Sequence, residues 1–93
     1  MGEREYRWSE RGRHSAESFG VGLHEVIEAL QAPRALSVER EVGDLVVIEG
    51  MAESGRVIVV VAERMARNLN VFRILLAKPL GPEALDRWRK ELP

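Results

Sequence analysis

Four basic residues in the last third of the chain have the types and spacing to handle an anion: Arg64, Arg67, Arg73 and Lys78. Arg64 closes an apolar run, and Arg67 lies in the stretch that follows. Arg73 projects from the next apolar segment, and Lys78 ends it. If the two segments are antiparallel strands joined by a short loop, Arg64, Arg67 and Arg73 lie near one another. Guanidinium groups so placed repel unless an anion sits among them, and their fork of donors matches phosphate oxygens. Metal-free cleavage of RNA suits such a set. Arginine or lysine stabilises charge on the phosphate in the transition state, and a nearby group moves protons on the ribose 2′-OH. The competing reading is a solvated face whose cations pair with Glu63, Glu83 and Asp86.

Other chemistries find less support. Cysteine is absent, so thiol nucleophiles, disulfides and Cys-based zinc sites are excluded. Gly20-Val21-Gly22 precedes a helical pattern but lacks the third glycine and the preceding strand of a phosphate-binding loop. Ser15 and Ser18 have no nucleophile elbow around them. His24 and Glu28 are four apart, but two further ligands at fitting spacing are missing, so we expect no metal site and no cofactor. Trp8 and Trp88 each have a face for stacking on a nucleobase. Trp88 belongs to an apolar helical stripe and reads as core. Trp8 is left open between core and contact residue by its poorly apolar helix; in an RNA-binding reading it joins Arg11 and Arg67 as contacts.

The element that positions the arginines is Arg56-Val57-Ile58-Val59-Val60-Val61-Ala62-Glu63-Arg64. An apolar run rich in valine, without polar alternation, predicts a strand covered on both faces. Glu53-Ser54-Gly55 predicts a hairpin turn before it, with Leu45 to Ala52 as its partner strand. Ala35 to Val42 alternates, with Leu36, Val38 and Val42 on one face and Ser37, Glu39 and Glu41 on the other. Arg40 interrupts its apolar face and suggests an edge or a bend. Met65 to Asn70 reads as a polar loop and Val71 to Lys78 as a fourth strand. Tyr6-Arg7-Trp8 is short and extended at most, and residues 1–5 read as frayed.

Ser9 is placed to cap a first helix running toward Phe19. Leu23, Val26, Ile27 and Leu30 form one apolar stripe of a second helix, from which His24, Glu25, Glu28 and Gln31 face away. Pro82 opens a last helix with Leu85, Trp88 and Leu92 as its buried stripe. The expected class is α+β: two N-terminal helices, a four-stranded, mainly antiparallel sheet with helices on one face, and a C-terminal helix. Residues 1–93 form one domain.

The formal net charge of −1 conceals an uneven distribution. Residues 21–55 carry two arginines against seven acids, whereas residues 56–93 carry eight basic residues against four acids. Such asymmetry either marks a basic face for a polyanion or is ordinary surface charge. No apolar run reaches membrane-spanning length, and the first residues lack the apolar core of a signal peptide, so the expected location is cytoplasmic.

The order of short motifs resembles that of BrnT-type toxins of the RelE/ParE-like toxin–antitoxin superfamily. The matching residues are Arg7-Trp8, Gly20-Val21, Leu23 to Leu30, Gly55-Arg56, Ala62-Glu63-Arg64, Phe72-Arg73-Ile74-Leu75 and Ala77-Lys78. The resemblance covers about residues 6–90. The resemblance implies a RelE/BrnT-like fold in a small cytoplasmic toxin that cleaves RNA and is neutralised by a cognate antitoxin. It carries the family's basic positions onto Arg64, Arg73 and Lys78, and its N-terminal aromatic onto Trp8. Phe19, Ala84 and Trp88 stand where that pattern has His, Glu and Tyr. A second function class therefore stays open: a non-enzymatic protein-interaction module on the same scaffold, forming a homodimer through a strand edge.

Overall fold

The computed structural model describes residues 4–65 and 68–93. The chain runs β1 (Glu5–Trp8), α1 (Glu10–Ser18), α2 (Leu23–Leu30), β2 (Ser37–Val42), β3 (Leu45–Met51), β4 (Val57–Met65), β5 (Asn68–Pro79) and α3 (Pro82–Glu91). The α+β class is as expected, but the sheet has five strands, in the order β1-β5-β4-β3-β2. β2, β3, β4 and β5 pair antiparallel, whereas β1 lies parallel to β5. A strand thus precedes the two N-terminal helices and makes the sheet mixed. Residues 1–3 lie outside the described residues. Glu5, expected to be frayed, starts β1, and Arg4 before it is ion-paired to Glu39.

Hairpin geometry explains the antiparallel part. Gly55 takes φ of 90° in the turn between β3 and β4, a conformation that penalises a Cβ. The valine-rich run is the central strand. Val57, Ile58, Val59, Val60 and Ala62 are all buried, which requires cover on both faces. That cover comes from different helices. A Cβ on Gly50 would sit 2.1 Å from the carbonyl oxygen of Ala29, so α2 lies against that face of β3. The adjacent Glu49 therefore projects to the opposite face, where its side chain meets Arg87 of α3. The helices thus divide between the two faces instead of sharing one.

Helix α1 covers an edge. β1 pairs with β5 only as far as Ile74, leaving the outer backbone groups of the next residues without a strand. Ser9 caps α1 by accepting from the Gly12 amide, while its hydroxyl donates to the Ile74 carbonyl at 2.5 Å. Ser15 both donates to the Ala77 carbonyl and accepts from the Ala77 amide, each at 3.2 Å. A Cβ on Gly12 would lie 2.2 Å from the Ile74 carbonyl oxygen, so the approach depends on glycine.

The α2 stripe is rotated from the expected one. Val26 and Ala29 are fully buried, whereas Leu23 and Ile27 stay 42% and 48% exposed. Glu25, expected to face away, is buried because it has polar work to do. Its carboxylate accepts from the Gly22 amide at the helix start, from Ser54 and from Arg56. On the other face, Trp88 is 1% exposed and donates its indole N–H to the Glu49 carbonyl at 2.8 Å, confirming it as core.

β4 runs to Met65 and β5 begins at Asn68, so most of the expected loop from 65 to 70 is strand. Register shifts interrupt this pair between Val61 and Ala62 and between Arg64 and Met65.

Candidate functional site

Register decides where the arginines point. Arg64 of β4 stands directly opposite Phe72 of β5, so both project from the face that α1 and α2 partly cover. Arg73 is the next residue along and must project from the other face. There it stands opposite Glu63 and bonds to it at 2.6 Å. Lys78, opposite Val59, shares the Arg73 face five residues further along the strand. Arg64 and Arg73, expected as neighbours, are therefore separated by the thickness of the sheet. Arg67 lies outside the described residues. Arg11 is exposed on α1, and Trp8 is half-buried against the α1/α2 core.

What does gather around Arg64 is a different set. The Phe72 ring is 1% exposed, and the guanidinium carbons of Arg64 and Arg4 stand 5.4 and 5.1 Å from its centroid. Each such contact contributes roughly 0.5–2 kcal/mol. Tyr6, from β1, stacks on Phe72 with centroids 5.6 Å apart and planes at 28°. Arg4 donates to the Tyr6 hydroxyl at 3.3 Å. Two cations and a phenol thus converge on one aromatic platform.

Acids from the edge strand complete the cluster. Glu39 takes both Arg4 terminal nitrogens, at 2.5 and 2.9 Å, and Glu41 lies 3.4 Å from Arg64. The Glu39 hydrogen bond holds Arg4 above the usual arginine range. β1 and β2 are the two edges of the sheet, so the Arg4–Glu39 pair spans its curved face from side to side. Beneath this bridge lies a groove of about 600 Å³, lined by Tyr6, Ile27, Leu30, Gln31, Ser37 and Ile48 as well as the bridging pair.

The uneven charge of the sequence is resolved here. Acids of residues 21–55 serve as counter-ions for arginines elsewhere: Glu25 for Arg56, Glu39 for Arg4, Glu41 for Arg64 and Glu49 for Arg87. Glu49 also bonds Arg40 of β2, whose charge it raises in pKa, and Arg40 reaches on to Glu91 of α3. Among the described residues, no three His, Cys, Asp or Glu side chains group as metal ligands, and no helix is long and apolar enough to cross a membrane.

Arg4, Tyr6, Glu39 and Glu41 were not singled out by their sequence context. The one usable signal was parity. Ser37, Glu39 and Glu41 share a strand face, and that face turns out to look across the groove. No family model matches the chain, and no curated protein matches it in sequence.

Proposed function

We propose that this chain is a toxin-type domain of the BrnT-like, RelE/ParE-like class that acts on RNA, with its site on the curved face around Arg64. The observation that carries the reading is the convergence of the Arg4 and Arg64 guanidinium groups on Phe72, with the Tyr6 hydroxyl in reach of Arg4. The sequence resemblance supplies the class, and the cluster supplies groups of the right kind.

In this reading an RNA phosphate displaces Glu39 and Glu41 from the arginines, which then bear the charge that grows on its oxygens. A released carboxylate takes the proton of the ribose 2′-OH as that oxygen bonds to phosphorus. The bond to the 5′-oxygen breaks, and the Tyr6 hydroxyl supplies the proton that the leaving oxygen needs. The products are a 2′,3′-cyclic phosphate and a 5′-hydroxyl. The physiological context is a type II toxin–antitoxin pair in the cytoplasm, with a cognate antitoxin as protein partner.

Induced expression tests this. The wild-type chain should slow growth and fragment cellular RNA, and Arg64→Ala should relieve both. Harmless expression with intact RNA would sink the nuclease reading. Relief by Arg73→Ala but not by Arg64→Ala would move the site to the opposite face.

A second reading, a non-enzymatic protein-interaction module, is favoured by a separate observation. Each arginine of the cluster already has its own carboxylate, while Phe19, Leu23 and Ile27 stand 42–51% exposed. Growth arrest without RNA cleavage, or concentration-dependent dimerisation seen by light scattering, would favour it.

A further inference from the structure

We infer that the groove beside the arginine pair is a binding site for one unstacked base of single-stranded RNA, its phosphate lying at Arg4 and Arg64. The inference rests on the RNA reading above and adds to it the part of the ligand that phosphate contacts cannot recognise.

Three observations converge. The groove, of about 600 Å³, has room for a nucleotide, within the range of small-ligand sites. Its lining mixes the two kinds of group that hold a splayed base: apolar and aromatic surface against the ring, and hydrogen-bonding groups for its edge. Ile27 and Tyr6 supply the first. Ile27 is 48% exposed despite its place in a helical apolar stripe, so the structure itself leaves this surface open. Gln31 and Ser37 supply the second. Neither side chain has a protein hydrogen-bond partner among the described residues, and a carboxamide offers both a donor and an acceptor to a base edge. Finally, Arg4 belongs to both regions. It lines the groove and also stands over Phe72 beside Arg64, so a base in the groove and a phosphate at the arginines lie within one nucleotide of each other.

Titration of the full chain with the four nucleoside 3′-monophosphates tests this, with ribose 5-phosphate and inorganic phosphate as controls. At least one nucleotide should bind about tenfold tighter than ribose 5-phosphate, the order that one stacked base supplies. Gln31→Ala combined with Ile27→Ser should abolish that preference while leaving phosphate binding in place, and Arg64→Ala should weaken every ligand. Both groove positions are exposed, and circular dichroism checks that the double variant is folded. Equal binding of ribose 5-phosphate and all four nucleotides would overturn the inference, as would a preference untouched by the groove substitutions. The two readings fail separately. Arg64-dependent RNA cleavage without base preference rejects the groove site alone. Base preference without RNA cleavage supports the groove site and rejects the nuclease.

Discussion

Protonating or removing the Glu25 carboxylate should loosen the joint between α2 and the β3–β4 hairpin, and the loss should depend on pH. Glu25 is 8% exposed and bonds Arg56 through Nε at 3.0 Å and Nη2 at 2.7 Å, Ser54 Oγ at 3.0 Å and the Gly22 amide at 3.1 Å. The Arg56 hydrogen bonds, against opposing burial, lower its pKa from 4.5 to about 2. A carboxylate depressed in the folded state contributes stability above its unfolded pKa, and this is lost as pH falls from about 4.5 toward 2. A shift of that size corresponds to an upper limit of roughly 3 kcal/mol. The Arg56 side chain is 41% exposed, so solvent screening reduces this to about 1.5–2 kcal/mol. Glu25→Gln should therefore lower Tm at pH 7 by roughly 6–15 °C for a domain of this size. The gap between wild type and variant should narrow steadily on acidification to pH 2. Thermal melts followed by circular dichroism at several pH values provide the measurement. A gap as wide at pH 2 as at pH 7 would refute the electrostatic account, leaving a packing role in its place. An Arg56→Met partner variant closes the cycle, with an expected coupling of about 1–2 kcal/mol.

Other substitutions probe the edge that α1 covers and the anchoring of α3. Ser15→Ala leaves the Ala77 amide and carbonyl without their hydroxyl partner and should cost about 1–3 kcal/mol in chemical denaturation. Gly12→Ala drives a Cβ into the Ile74 carbonyl and should cost at least as much, with faster hydrogen exchange in β5 as the local readout. Trp88→Phe keeps most of the apolar volume but removes the indole bond to the Glu49 carbonyl, for an expected loss of about 1–2 kcal/mol.

Much of the scaffold was legible because it is local. The Ser9 cap, the glycine turn before β4 and the Pro82 start each depend on a few neighbouring residues, and each stands where the sequence places it. The strand expected from Ala35 begins only at Ser37, after a 3-10 turn over Arg34–Leu36, and Val42 of its expected apolar face is 63% exposed. The rotation of α2 was not legible. A stripe of Leu23, Val26, Ile27 and Leu30 is apolar by composition, yet a close approach of backbone at Gly50 and the Arg56 contact turn Ala29 and Glu25 inward instead. Tyr6-Arg7-Trp8 reads as a short extended piece, but the parallel place of β1 in the sheet was not legible, for a related reason. Its four residues gain their partner from a segment more than sixty positions away.

The candidate site shows the same division. Sequence by itself determined that Arg64 lies at the end of the central strand, that Arg64 and Arg73 flank its hairpin with β5, and that Ser37, Glu39 and Glu41 share a face. Only the tertiary structure decided that Arg64 looks toward Arg4 and Tyr6 while Arg73 looks the other way. Side chains on a strand alternate with a period of two, so a single step in register exchanges the faces. That step is set where β4 and β5 shift register at Val61/Ala62 and Arg64/Met65. Curvature of the whole sheet then brings Arg4, before one edge strand, to Glu39 on the other. Neither register nor curvature resides in any short stretch of the chain, because both follow from how all five strands and the helices pack at once.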